Sequence, residues 1–141
     1  MARVRLNFTT LMAAVQTLVE TRTGKKCYDS VPLNAEAPFY SIEPLGVDAA
    51  NTKVMYRDIF HFQLHVIAPA PGPDQANSSV PVFDLMKALE EACTENITLP
   101  EPYKLIDQRL TGPVSFQTDP TNEKHAIYQI DLMVAYGFIC K

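Results

Sequence analysis

Lys53-Val54-Met55-Tyr56-Arg57-Asp58-Ile59-Phe60-His61-Phe62-Gln63-Leu64-His65-Val66-Ile67 is the stretch that decides the fold of this chain. It alternates with a period of two. Val54, Tyr56, Phe60, Phe62, Leu64 and Val66 fall on one side, with Asp58 the exception. Met55, Arg57, Ile59, His61, Gln63, His65 and Ile67 fall on the other. Successive strand side chains point to opposite faces, so one face is nearly all apolar and the other mixed. That pattern predicts a strand half-buried against helices.

A second alternating run closes the chain. From Lys124 to Ile139, Ala126, Tyr128, Ile130, Leu132, Val134, Tyr136 and Phe138 share one side, and Gln129 and Asp131 share the other. The segment from Tyr103 to Thr118 reads as its partner, with Gly112-Pro113 marking a bend or bulge. Asp119-Pro120-Thr121-Asn122 supplies the turn of this hairpin. Strands of roughly fifteen residues at about 3.3 Å each reach roughly 50 Å. A compact body of this chain length measures about 37 Å across. The long strands must therefore bend, bulge near Gly112 or Gly137, or project as an arm.

Helical periodicity occurs twice. Leu11, Val15, Leu18 and Val19 form a stripe over roughly 8–22, with Asn7 or Thr9 as cap and Gly24 as stop. Val82, Leu85, Met86 and Leu89 form another, opened by Ser78 or Ser79 with Pro81 in the first turn. Glu90, Glu91 and Lys87 face water there, and the helix ends near Thr94. Short strands are expected at Cys27–Val31 and Ala37–Glu43, the latter flanked by Pro38 and Pro44. Gly46–Asn51 reads as a loop, and Ala68–Ser79, with three prolines around Gly72, as a long exposed connection. The order is α-β-β-β-α-β-β. Consecutive strands without βαβ rhythm predict one α+β domain over 1–141, a mostly antiparallel sheet with two helices on one face and a long C-terminal hairpin.

The chain has 141 residues, 47% hydrophobic and 20% charged, which suits a globular core. Its net charge is −4 and its only basic cluster is the pair Lys25-Lys26, which argues against strong phosphate binding. Cys27, Cys93 and Cys140 are too far apart for a metal knuckle and read as reduced, mostly buried thiols of a cytosol. No export signal or membrane-length apolar run is read, so Asn96-Ile97-Thr98 is taken as a chance triplet.

Nothing assembles an active site. On a strand, His61 and His65 stand about 13 Å apart, too far to share one metal, so they read as solvent-facing or packed. Asp58 on the apolar face reads as a strand-end or interface charge, able to pair with Arg57 or Arg109. Ser78-Ser79 and Thr9-Thr10 read as caps, not nucleophiles. No catalytic residue, metal ligand or cofactor is expected, and no enzyme.

Four features together resemble the tail-terminator and tail-completion, or head-tail joining, proteins of long-tailed bacteriophages. They are the helix through Leu11, Val15 and Leu18, the strand Ala37-Pro38-Phe39-Tyr40-Ser41-Ile42, and the strand Arg57–Val66 followed by a loop and the helix Val82–Ala92. The fourth is the closing strand with Lys124-His125-Ala126-Ile127-Tyr128-Gln129-Ile130. The resemblance implies a structural virion subunit. It would form a ring, typically of six copies, at the head-proximal end of the tail tube. That ring would end tube growth and receive the head connector, after assembly in a bacterial cytoplasm. Its partners would be itself, the tube protein, the head-completion protein and DNA passing without specific binding, with no membrane. Such a ring needs head-to-tail contacts. Loops 46–52 and 68–78 and the turn 119–123 are the natural suppliers: Val47, Asp48, Asn51, Pro71, Asp74, Gln75, Asp119, Asn122 and Glu123, with Asp58 added. Three other readings stay open: another head-tail joining or minor tail protein, a small-ligand-binding or enzymatic α+β module, and an adaptor that binds by strand addition at 38–43.

Overall fold

The structure, a computed structural model, describes residues 6–29, 37–69, 80–118 and 123–138. Its elements run α1 (Phe8–Thr23), β1 (Cys27–Tyr28), β2 (Phe39–Ala49), β3 (Met55–Ile67), α2 (Val80–Ala92), β4 (Lys104–Thr118) and β5 (Lys124–Phe138). This is the expected order. The strands form one five-stranded sheet in the order β1-β2-β3-β5-β4. Every neighbouring pair is antiparallel except β1 with β2.

Helix α1 starts where Asn7 accepts the Thr10 N–H at 2.7 Å. It stops at Gly24, whose φ of 72° is left-handed and whose N–H donates to the Glu20 carbonyl at 3.0 Å. Leu11, Val15 and Val19 are fully buried, with Leu18 packed at the margin. Phe8 meets Phe60 and Phe62 edge-on at 5.2 and 5.7 Å, which seats the helix on β3. The Gln16 amide donates to the Cys27 carbonyl and the Cys27 N–H donates to Glu20, which ties β1 to the same helix.

Both helices share one core with one sheet face: Tyr40 and Ile42 from β2, Phe60 to Val66 from β3, and Ala126 to Val134 from β5. Helix α2 contributes Val82, Leu85, Met86 and Leu89, as its periodicity predicts. Tyr40 donates from its buried hydroxyl to the Leu85 carbonyl at 2.7 Å. Tyr128 donates to Glu90 at 2.6 Å. Gln108 on β4 closes the end of α2. Its amide N–H donates to the carbonyls of Cys93 and Glu95, and its oxygen accepts from the Ile97 N–H.

Bulges interrupt the long strands. Residues 112–114 stand between the pairs Thr111↔Gln129 and Ser115↔Ile127, at the Gly112 bend. Gly112 has φ 130°, and a Cβ there would lie 2.9 Å from the Val114 nitrogen, so glycine is required. Further bulges fall at Ile106 of β4, at Tyr136 of β5 and at Leu45 of β2. The Tyr136 bulge interrupts the alternation of β5, and Tyr136 is half-exposed against Tyr56. Val54 falls before β3 begins and is 50% exposed, which corrects its assignment to the core face.

The predicted loop at Gly46–Asn51 is also corrected. Strand β2 continues to Ala49, pairing Gly46 to Ala49 with His61 to Asp58. The bulge at Leu45 takes up the interruption by Pro44, and pairing with β3 overrides the weak strand preference of Gly46 and Asp48. The expected end of β1 near Val31, the serine cap of α2 and the hairpin turn lie outside the described residues.

Candidate assembly surface

Because both helices cover one face, the other face of the sheet is uncovered by any described element. Ile59, His61, Gln63 and His65 of β3 lie there beside Ile127, Gln129, Asp131 and Met133 of β5, all partly covered. At the centre, His61 Nδ1 lies 2.6 Å from Asp131 and Nε2 2.9 Å from Asp48. The Gln129 amide donates to the same Asp131 oxygen at 2.9 Å. The hydrogen bond to Asp131, and the second one to Asp48, hold the imidazole above its ordinary pKa of 6.5 against partial burial. His65 faces Glu43 at 3.6 Å. The histidines are thus three-quarters or more covered rather than solvent-facing, and the period-two pattern could not show this without the strand register.

Two edges bound this face. On the β2 side, β1 pairs only with Tyr40 and Ser41, so among the described residues Glu43–Ala49 has no outer partner strand. On the other side, β4 is the last strand of the sheet. Leu45 and Val47 are exposed at the first edge, and Ile106, Val114 and Phe116 at the second, where Phe116 stacks edge-on with Phe83 of α2.

The residues named from sequence fall in different places. Val47 and Asp48 lie in the edge strand β2, not in a loop, and Asp48 exposes 76% of its side chain. Asn51 is exposed in the following turn and accepts the Arg57 N–H at 3.0 Å. Glu123 is half-buried beside Phe39, His65 and His125 on the open face. Asp58 is different: 1% exposed, it lies inside the subunit on the helix-covered face, between Ala49 and Val134. Arg57 donates to the Ala50 carbonyl and Arg109 sits 3.7 Å from Asp107. Pro71, Asp74, Gln75, Asp119 and Asn122 lie outside the described residues.

Among the described residues, His61, Asp131 and Asp48 form a cluster of ionisable side chains on the open face. A groove of about 400 Å³ between α1 and residues 95–98 is lined by Thr10, Ala14, Thr17, Arg22, Glu95 and Thr98 among others. Arg22 and Glu95 there are already an ion pair. No group of three His, Cys, Asp or Glu among the described residues could hold a metal ion. No described helix is long and apolar enough to cross a membrane.

Among the described residues, one sheet face is uncovered and both edges carry exposed apolar side chains. Over residues 3–141 the chain matches the model of a phage tail-terminator family described as “putative tail termination protein”, and it belongs to that family. It is a structural component of the virion tail. Among solved structures it is similar to a chain from a virion of a native gene transfer agent particle, at 17% identity and a TM-score of 0.66. That match covers 90% of this chain and 96% of the other, and it shows a shared fold. No curated protein matches by sequence.

Proposed function

We propose that the chain is a tail terminator that closes into a ring, six copies in the family pattern, at the head-proximal end of the tail tube. The ring ends tube growth and presents a face to the head connector. Its role is structural, without catalysis. The observation that carries this reading is the family match over residues 3–141, joined to a sheet with two exposed apolar edges. A closed ring requires two different surfaces on each copy, and opposite edges of one sheet are two such surfaces. The chain's acidic balance, −4 overall, suits a lumen through which DNA passes without sticking. Neutralising acidic lumen residues should slow DNA ejection, and unchanged ejection would remove that part of the reading.

Contact residues remain proposals of the same kind: Val47, Asp48 and Asn51 at the β2 end, and the segments 68–78 and 119–123. Charge reversals there should block ring assembly while leaving the subunit folded. Light scattering coupled to size exclusion, with negative-stain images, tests the ring directly. A closed ring with a central hole is expected, from the purified chain or from the chain mixed with tail tubes. A chain that stays monomeric under both conditions would contradict it.

A further inference from the structure

The two edges of the sheet complement each other in direction, polarity and charge. In the order β2-β3-β5-β4, each strand runs opposite to its neighbour. Four alternating strands leave β2 and β4 antiparallel. A second copy added in the same orientation therefore meets β4 with its own β2 in an antiparallel pair, the arrangement the rest of the sheet uses.

Side chains on the two edges match face by face. Val47 points to the helix-covered side, being paired with Phe60, and Leu110 does so on β4, being paired with Ile130. Asp48 and Glu43 lie on the open side of β2 and are 76% and 59% exposed. Arg109 lies on the open side of β4 and is 72% exposed, with Lys104 on the same side. Asp107, 52% exposed, lies on that side as well, 3.7 Å from Arg109, so β2 carries an acidic pair and β4 a mixed row with one net positive charge, each backed by exposed aliphatic groups at Leu45 and Ile106. Pro44 and Pro113 bound the pairing segments, since proline offers no N–H to a partner strand. What remains is 46–49 on one edge and 104–111 on the other.

We propose that copies of this chain join edge to edge, β4 of one copy adding antiparallel to β2 of the next, so that the sheet runs continuously from subunit to subunit. This rests on the ring reading, because such a contact is head-to-tail and propagates until it closes.

A chemical cross-link tests it. The double variant Asp48→Cys/Arg109→Cys is treated with a bismaleimide of reach about 8 Å, both as purified protein and in assembled tails. Neighbouring strands lie about 4.8 Å apart, so the linker spans the proposed junction with some register offset. Within one chain the two positions are three strand spacings apart, roughly 14 Å, beyond its reach. A second double variant, Asp48→Cys/Asp107→Cys, covers the adjacent register. The expected result is a ladder of covalent oligomers from at least one double variant, with each single variant remaining monomeric on a denaturing gel. Dimers from a single variant would mean symmetric pairing and overturn the proposal. So would the absence of a ladder from both double variants in both settings. If the chain is present as a ring in tails and still yields no ladder, the edge contact fails while the ring reading stands. If the chain is absent from tails, the ring reading fails instead.

Discussion

His61 binds its proton more tightly in the folded chain than an ordinary imidazole because Asp131 and Asp48 both face it. A histidine whose pKa is raised on folding contributes stability that is fully present below about 6.5 and lost as pH rises through the raised value. The melting temperature should therefore fall as pH rises from about 6.5 through the raised value, and His61→Gln should flatten that slope. An unchanged slope in the variant would show that the fall comes from elsewhere. Gln108 makes a second prediction. Gln108→Leu strips the partners from the Ile97 N–H and the Cys93 and Glu95 carbonyls, and should cost about 1–3 kcal/mol in denaturant unfolding. Gly112→Ala forces a side chain into a left-handed position against the Val114 nitrogen and should cost on the order of 1–3 kcal/mol. Burial pushes the Cys27 thiol up to about 12 and the Cys93 thiol to about 11. Both should resist iodoacetamide in the folded chain near pH 8 and react on unfolding, as read by mass spectrometry.

At the scale of elements, the long strands and both helices are legible because a single physical pattern writes them. The period of two in Phe60-Phe62-Leu64-Val66 and the helical spacing of Val82-Leu85-Met86-Leu89 record burial on one face, and the structure buries those residues. The miss at Gly46–Ala49 has a different origin. Its residues are poor strand formers, and only pairing with β3 makes them a strand. The same limit hid the His61–Asp131–Asp48 cluster and the Gln108 clamp, which depend on register and on contacts far apart in sequence. Asp58 was legible as an exception on an apolar face, but its depth inside the subunit was not. The edge strands carry a prediction of their own. Val47→Asp, at an exposed site, should leave the far-ultraviolet circular dichroism unchanged and weaken self-association. Self-association as strong as that of the unaltered chain would show that the β2 edge faces solvent in the assembled state.

At the scale of the molecule, the described residues leave one sheet face uncovered and two edges with exposed apolar side chains, which suits a subunit whose surface is completed by its neighbours. Family membership puts that subunit in a phage tail. Its proposed role there is the ring that stops the tube. The most direct measurement is the length distribution of tail tubes by electron microscopy, assembled with and without this chain. Tubes of one length, each capped by a ring at the head-proximal end, are expected with the chain, and overgrown tubes of variable length without it. Tubes of the same uniform length in its absence, still joining heads, would contradict that role.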